Sequence, residues 1–493
     1  MEPRVSKFFN YKLVLARVLI GSCACVFISA AKEKPESETL PDYNSVVQVF
    51  VQPLKPIASI PWQDYTQPAT SGSGFVIDGQ RIMTCAHVVA DATQIMVRKP
   101  SCEDKFMAKV LFVNHEADLA LITVEDKAFF SDTPPLAFNG VPPLQTSVLV
   151  VGYPIGGENM SYTQGIVTRI EPSVYVHSLK NLLAMQVDAN VNPGNSGGPA
   201  FAADRTVLGV AFQAQKENNI YQIIPVPIVR HFLDDIKDGK VDGIADSPFF
   251  VIATMESKDM RRAFKMDDQQ TGVLVCKLED GAKHQGIFQK DDVLLSVEGK
   301  RIANNGRIHH LGHSLDFRVM LAEKQLKSSI LFEVLRDGKL LKLDYPLGKV
   351  PDGCRGFEFD YKPTYFIAGG LVFIPMSGNY LVEVGGLNNL IFDRREDRYS
   401  PGDEFVMLVF VLADEVNHGY QQHTHAQVIE VNGKKVSTLR DLMKTVESQK
   451  TGFITFLLAN KMPVIMDVEK MKAATPRILK QYRVPADRSS DLK

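Results

Sequence analysis

The stretch VDANVNPGNSGGPA, residues 187–200, decides how the rest of the chain is interpreted. Three glycines lie within two residues of Ser196, namely Gly194, Gly197 and Gly198. Glycine tolerates backbone angles that other residues rarely adopt, so the turn can present a serine side chain. In such a turn the amides of Gly194 and Ser196 can converge on one point, as an oxyanion hole requires. A glycine-rich hairpin with a solvent-facing serine is the alternative.

A serine hydroxyl becomes an effective nucleophile only when a base removes its proton. TCAHVVADA supplies His87 at the predicted end of a strand, and HEADLALITV supplies Asp118 directly before an apolar strand. A carboxylate beside the imidazole holds its tautomer and stabilises the imidazolium. Either residue alone could be a strand-edge cap, but the order His, Asp, Ser is that of chymotrypsin-like double barrels. The three motifs together predict a catalytic triad of His87, Asp118 and Ser196.

Short apolar or alternating runs, separated by turn residues, fill the chain from residue 44 to about residue 210. This pattern predicts many short strands, as in a sandwich or a pair of barrels. A helix is predicted at 225–239, where Val226, Val229 and Phe232 recur at helical spacing. The Gly- and Asp-rich segment 238–247 then indicates a linker.

A weak internal repeat follows the linker, with VLLSVEGKRI at 293–302 and QVIEVNGKKV at 427–436. Each copy predicts two strands joined by a tight turn, centred on Gly299 or Gly433. A helix is predicted after the second copy, so two small α/β modules are expected. The predicted organisation is a targeting leader and flexible segment at 1–43, a protease domain at 44–241, a first module at 248–350, a second, divergent module at 351–475 and a polar tail at 476–493.

The motifs SGSGFVIDGQRIMTCAHVV, HEADLALITV, VGYP and NPGNSGGPA resemble the DegP/HtrA family of serine proteases. The two modules resemble its PDZ domains, and PTYFIAGGLVF with the tail RILKQYRVPADRSSDL is similar to the plant Do-like subgroup. The resemblance implies an all-β, chymotrypsin-like double β-barrel followed by two PDZ-like α/β modules. It also implies an ATP-independent serine endopeptidase that cuts unfolded or damaged proteins, needs no metal or other cofactor and assembles as a trimer-based homo-oligomer. A chaperone-like protein with a protease site inactivated by its loops is the alternative.

Two departures from the family pattern stand out. Asn190, six residues before the nucleophile, lies at the expected base of the primary specificity pocket, where relatives often carry alanine. It predicts a more polar or smaller pocket, unless it only braces the loop. The start of the first module, SPFFVIATMES at 247–257, lacks the glycine-containing loop that captures peptide carboxylates. Carboxylate capture is therefore not expected there.

Composition excludes several classes of protein. With 55 Lys+Arg against 57 Asp+Glu the formal net charge is −2, so no basic field favours nucleic acid. Hydrophobic residues at 45% and charged residues at 23% are typical of a folded globular chain. The six cysteines include no CxxC pair, so neither a structural zinc site nor a redox motif is indicated.

The first 43 residues have the composition of a targeting segment. No acidic residue lies between Glu2 and Glu33, whereas Arg4, Lys7, Lys12 and Arg17 are spread among apolar residues, as in an organelle-import presequence. The uncharged run at 18–31 is shorter than the roughly 20 residues of a spanning helix, but it fits the core of a secretory signal. We expect a mitochondrial protein, in the matrix or associated with the inner membrane. The secretory pathway or another organelle is the alternative, and a retained leader would allow membrane association.

Overall fold

Both predicted barrels are present in the computed structural model of the protein. The structure describes residues 43–155, 157, 159–189, 192–215, 220–246, 250–278, 286–349, 354–386 and 402–493. The predicted leader, apart from Tyr43, and Asn190 therefore lie outside the described residues. None of the helices in the described ranges combines the length and apolar character needed to cross a bilayer.

The first barrel positions the base and the carboxylate. Its strands are β1 (Val46–Pro56), β2 (Asp64–Thr66), β3 (Thr70–Ile77), β4 (Arg81–Thr84), β5 (Ala92–Arg98), β6 (Phe106–Asn114) and β7 (Leu119–Val124). They follow the order β2-β1-β3-β4-β7-β6-β5, and pairing of β1 with β5 closes the barrel. Thr84 lies opposite Ala120 in the antiparallel pair β4–β7. The residues just after β4 and just before β7 are therefore neighbours.

The second barrel carries the serine. Its strands are β8 (Ser147–Gly152), β9 (Ser161–Val174), β10 (Asn181–Val187), β11 (Pro199–Phe201), β12 (Val207–Gln215) and β13 (Ile220–Pro225), closed in the order β10-β13-β12-β11-β8-β9. A one-turn helix α1 (Ala86–Val89) belongs to the first barrel, and α2 (Val226–Asp235) follows the second. Helix α2 continues as a 3₁₀ turn to Asp238, and Gly239 ends it with φ of 87°. The helix predicted at 225–239 is confirmed.

The first α/β module packs against the second barrel. It contains β14 (Phe250–Thr254), β15 (Val273–Leu278), β16 (Val293–Val297), β17 (Lys300–Arg301), β18 (Arg307–His310), β19 (His313–Asp316), β20 (Ser329–Arg336) and β21 (Lys339–Pro346), with helices α3 (Lys258–Ala263) and α4 (Val319–Ala322). Most strands form a sheet in the order β14-β15-β16-β20-β21. Most of its buried apolar side chains belong to the same cluster as those of the barrels. A smaller separate cluster is formed by Met255, Met266, Leu274, Val293, Leu295 and Leu335.

The second α/β module has its own sheet, ordered β22-β23-β24-β25-β27-β28. Its strands are β22 (Phe366–Ala368), β23 (Leu371–Pro375), β24 (Val406–Val411), β25 (Ala426–Val431), β26 (Lys434–Lys435), β27 (Phe453–Leu458) and β28 (Pro463–Asp467), and its helices are α5 (Gly378–Glu383), α6 (Leu439–Ser448) and α7 (Val468–Gln481). The helix predicted after the second repeat is α6, which begins after the N-cap Thr438.

The internal repeat corresponds to two hairpins with the same turn. Glu298 and Gly299 have φ of 49° and 71°, and Asn432 and Gly433 have φ of 52° and 74°. Positive φ at both central residues is what a two-residue type I′ hairpin turn requires. The predicted strand, turn and strand are therefore confirmed in both modules.

The predicted polar tail at 476–493 needs correction. Helix α7 runs through the predicted boundary at 475, and Ile478 within it is fully buried. Beyond the helix, Ser489 N donates to Tyr365 O at 3.0 Å, and Leu492 is buried. A few apolar side chains at helical spacing bury this segment although its composition is polar. It is part of the second module.

The described part of the predicted linker, residues 238–246, is irregular but packed. Ile244 is buried, and its amide donates to Glu116 Oε2 at 2.8 Å. The Asp235 carboxylate accepts hydrogen bonds from the amides of Asp242 and Gly243 at 3.2 and 3.0 Å. These bonds hold the described part of the linker against the protease domain.

The second module is anchored to the first barrel through the loop at 57–63. Ala58 is buried in the apolar cluster of the second module, and Trp62 meets Tyr365 edge-on with ring centroids 5.8 Å apart. The Glu383 carboxylate accepts hydrogen bonds from the amides of Ala58 and Ser59, at 2.6 and 2.9 Å. These contacts hold the second module beside the face of the barrel that carries His87.

Candidate active site

The structure brings His87 and Asp118 into direct contact. His87 is the second residue of helix α1, which follows β4, and so lies beyond the strand end where the sequence placed it. Asp118 precedes β7 and has φ of 54°. Its carboxylate accepts from the His87 backbone amide at 2.8 Å and bonds to His87 Nδ1 at 2.7 Å. The two bonds leave Nε2 as the ring nitrogen that can exchange a proton with a nucleophile.

Burial and charge act in opposite directions on this pair. Burial disfavours the imidazolium, but the Asp118 charge and hydrogen bond outweigh it, so the pKa of His87 is raised above its usual 6.5. Burial also favours the neutral carboxyl of Asp118, which is 2% exposed, but the charge and hydrogen bond of His87 lower its pKa overall. Asp118 is therefore ionised at neutral pH and stabilises a proton on His87.

A neighbouring histidine does not compete for that proton. The His177 and His87 ring centroids are 6.1 Å apart, and His177 Nε2 lies 2.9 Å from His115 Nδ1. Burial lowers the pKa of His177 to about 4, against the opposing effect of the Asp118 charge. His177 is therefore neutral over the range in which His87 titrates.

These shifts predict the pH profile of proteolysis. The base form of His87 is neutral, so kcat/KM should fall about tenfold per pH unit on the acid side. Because the pKa of His87 is raised, the midpoint of this fall should lie above pH 6.5. Initial rates on a peptide substrate between pH 5 and 9 measure it. A profile that is flat from pH 5 to 8 would contradict His87 as the base.

Ser196 lies where the two barrels meet. Its Oγ donates to Phe212 O at 3.2 Å, and this is the hydrogen bond that its hydroxyl makes within the described structure. The hydroxyl must therefore turn toward His87 before attack, as is common in substrate-free sites. A Cβ at Gly197, which has φ of 86°, would lie 2.1 Å from Ser73 O. Only glycine fits there, because the strand carrying Ser73 passes so close to the serine turn.

The two predicted oxyanion amides lie in the turn that carries Ser196. Pro193 O accepts from Ile155 N at 2.7 Å, and Asn195 O accepts from Gly198 N at 2.9 Å. In a planar trans peptide the carbonyl and the following amide point in opposite directions, so these bonds also orient the next N–H groups. Those groups belong to Gly194 and Ser196, and neither donates to another described residue. Both amides are therefore without a hydrogen-bond acceptor among the described residues, and their role as an oxyanion hole stays a prediction.

Cys85 is the third polar group beside the pair. Its Sγ, a His87 nitrogen and an Asp118 oxygen lie within 4.8 Å of one another, the one such cluster of potential metal ligands in the described ranges. Burial, with the nearby Asp118 charge, raises the pKa of the thiol well above its usual value, and Sγ donates to Ala211 O at 3.3 Å. A neutral, hydrogen-bonded thiol fits a packing role and not a thiolate ligand.

The site opens into a cavity of about 540 Å³, within the usual size of ligand pockets. His87, Asp118 and Phe212 line it from the barrels, and Phe357 and Phe359 line it from the second module. Sequence reasoning missed this last contribution. No local pattern links residues near 87 to residues near 359, and only the folded arrangement brings them together.

Comparisons with known proteins agree with the geometry. Residues 72–210 match the family model of the trypsin-like peptidase domain, and residues 354–491 match that of the PDZ domain. Proteases Do-like 3 and Do-like 4 of Arabidopsis thaliana, both named as mitochondrial, are each 35% identical to this chain. The alignments cover 94% of this chain and 83% of the first relative, and 91% and 85% for the second. Protease Do-like 2 of the same plant, named as chloroplastic, is 33% identical over 91% of this chain and 75% of the relative.

The chain belongs to the Do-like (DegP/HtrA) family of serine proteases. This confirms the resemblance inferred from the motifs, and with it the double-barrel fold and the PDZ assignment of the second module. As a Do-like protease the chain is an ATP-independent serine endopeptidase. Asn190, the predicted pocket residue, lies outside the described residues and stays a prediction.

Proposed function

We propose that this Do-like protease hydrolyses peptide bonds with Ser196 as nucleophile, His87 as general base and then acid, and Asp118 as its orienting partner. Ser196 Oγ bonds to the peptide carbonyl carbon while its proton passes to His87 Nε2. The C–N bond then breaks, and the leaving amine takes that proton. Water repeats the two steps and releases the acyl group, so no metal or ATP takes part.

The observation that carries this proposal is the pair of hydrogen bonds between Asp118 and His87. One carboxylate oxygen bonds to the backbone amide and the other to ring Nδ1, at 2.8 and 2.7 Å. The ring is thereby fixed in one orientation and one tautomer, with Nε2 free for the serine proton. The oriented amides of Gly194 and Ser196 would stabilise the oxyanion that develops on the carbonyl. We further propose that Asn190 lines the primary specificity pocket.

The cleft favours substrates in extended conformation. Strand β12 pairs with β11 only as far as Val210, and from Phe212 onward that edge has no strand beside it in the described structure. A free strand edge binds extended peptide through main-chain hydrogen bonds. Because Phe212 O contacts Ser196 Oγ, a peptide on this edge would pass the nucleophile. We therefore propose unfolded or damaged polypeptides as substrates, in protein quality control.

A protein available in both folded and unfolded forms tests this substrate class. A disulfide-rich protein should resist cleavage in its native form and be cut at least about tenfold faster after reduction and alkylation, because only the unfolded chain can extend along β12. Gel densitometry over time measures both rates, with Ser196→Ala as the blank. Equal rates on the two forms would contradict the proposal.

We also propose a mitochondrial location, in the matrix or at the inner membrane, and a trimer-based homo-oligomer. The acid-poor, basic leader supports the location, as do the mitochondrial names of two relatives, although a third is named as chloroplastic. N-terminal sequencing of the protein recovered from mitochondria tests whether the leader is removed there, and light scattering tests the assembly. The trimer rests on family resemblance alone.

A further inference from the structure

Solvent-exposed apolar side chains line the rim of the cavity beside His87. Val176 of the second barrel is 66% exposed, Val382 of the second module is 52% exposed and Tyr65 of the first barrel is 44% exposed. Apolar surface that stays exposed beside a binding site is often where a ligand buries it. The exposed groups here come from three different parts of the fold and face one cavity.

The second module places two aromatic rings in the same cavity. Phe357 and Phe359 are half-buried, and both line it. Phe359 stacks on His177, with ring centroids 4.0 Å apart and planes 21° apart, and also contacts His115 at 4.6 Å. The His177 ring in turn lies 6.1 Å from the ring of the base His87, between centroids. The Phe359 ring is therefore positioned against the two histidines beside the His87–Asp118 pair.

Hydrogen bonds from the next residue fix that position. The Asp360 carboxylate bonds to His115 Nε2 at 2.8 Å and accepts from the Asp91 amide at 2.6 Å. The Asp360 amide in turn donates to the Asp91 carboxylate at 2.7 Å. Together with the bonds from Glu383 to the loop at 57–63, they tie the second module down on two sides of the cavity. A wall held in this way is preorganised for binding.

We propose that Phe357, Phe359 and Val382 of the second module form an apolar subsite of the active-site cavity, which binds a bulky apolar side chain of the substrate next to the scissile bond. Gln213 and Ala214 on the free edge of β12 line the same cavity. A peptide on that edge would thus turn alternate side chains toward the second module. The subsite rests on the proposed function, because it needs the substrate to pass Ser196 along β12.

Matched peptides test the subsite. A quenched fluorescent peptide is taken from a mapped casein cleavage site, and each of the three residues on either side of the cut is set in turn to Leu or Ser. In the full-length enzyme, Phe359→Ala should lower kcat/KM about tenfold for the peptide with Leu at the contacted position. It should leave the peptide with Ser there unchanged. Phe453→Ala, an exposed phenylalanine of the same module outside the cavity, is the control and should change neither rate.

Results that would contradict the subsite differ from those that would contradict the proposed function. If Phe359→Ala speeds the cleavage of all peptides, or slows all of them equally, the second module covers or supports the site and the subsite is wrong. If Phe359→Ala melts at a lower temperature, Val382→Ser replaces it, because the Val382 side chain is 52% exposed and its truncation should perturb packing less. Wild-type enzyme that cleaves no peptide would overturn the proposed function instead, which separates the two failures.

Discussion

Replacing Ser196 with alanine should lower the turnover of casein by about 10⁶-fold, because loss of the nucleophile disables the whole proposed triad. The remaining rate reflects only the oriented amides and binding, which alone give about 10³–10⁴-fold over water. Release of fluorescent peptides from labelled casein covers this range if the enzyme is used in excess.

The melting temperature of the variant and a second serine variant serve as controls for this result. Within the described structure the Ser196 hydroxyl makes one hydrogen bond, to Phe212 O at 3.2 Å. Because one such bond contributes only about 1 kcal/mol to stability, removing the hydroxyl should leave the melting temperature nearly unchanged. Ser101→Ala, at an exposed serine of the first barrel, should cleave casein as fast as the wild type. Casein cleavage by Ser196→Ala at the wild-type rate would show that another residue attacks the substrate.

Asp118→Asn should lower kcat by about 10⁴-fold with little effect on KM. The amide preserves the shape of the side chain but has only one acceptor oxygen for the two N–H groups of His87. It also carries no charge to stabilise the imidazolium. The His87 ring would then be free to adopt the wrong tautomer.

The pH dependence separates this electrostatic role from a loss of structure. The Asp118 charge raises the pKa of His87 against the effect of burial, so without that charge the acid limb should move to lower pH. Asp78→Asn, at an exposed position of the same barrel, should leave both kcat and the limb in place. If the acid limb of the Asp118→Asn variant has its midpoint at the wild-type pH, the coupling between Asp118 and His87 is contradicted.

The proposed triad could be identified in the sequence because each of its members lies in a short local motif. Asp118 stands directly before an apolar strand, and the β4–β7 register then brings it to His87. The hairpins at Gly299 and Gly433 were equally predictable, since a two-residue turn with positive φ selects glycine locally. Information confined to a few consecutive residues survives in the sequence as a visible pattern.

The docking of the second module could not be predicted. It depends on single side chains far apart in the chain, such as Asp360 with His115. His115 begins the motif HEADLALITV, but nothing in that motif indicates a partner near residue 360. The last 18 residues were misjudged for a related reason. Their few buried apolar positions, including Ile478 and Leu492, are outnumbered by polar residues, so composition alone indicated a tail.

Trp62 is the sole tryptophan of the chain. It belongs to the loop at 57–63 and contacts Tyr365 of the second module. All tryptophan emission of the protein therefore originates at the contact that fastens this module to the barrel. Undocking would expose the indole ring to water, whereas cleavage chemistry at Ser196 would not. The protein thus carries a built-in optical reporter of its own domain arrangement, readable without a label during turnover.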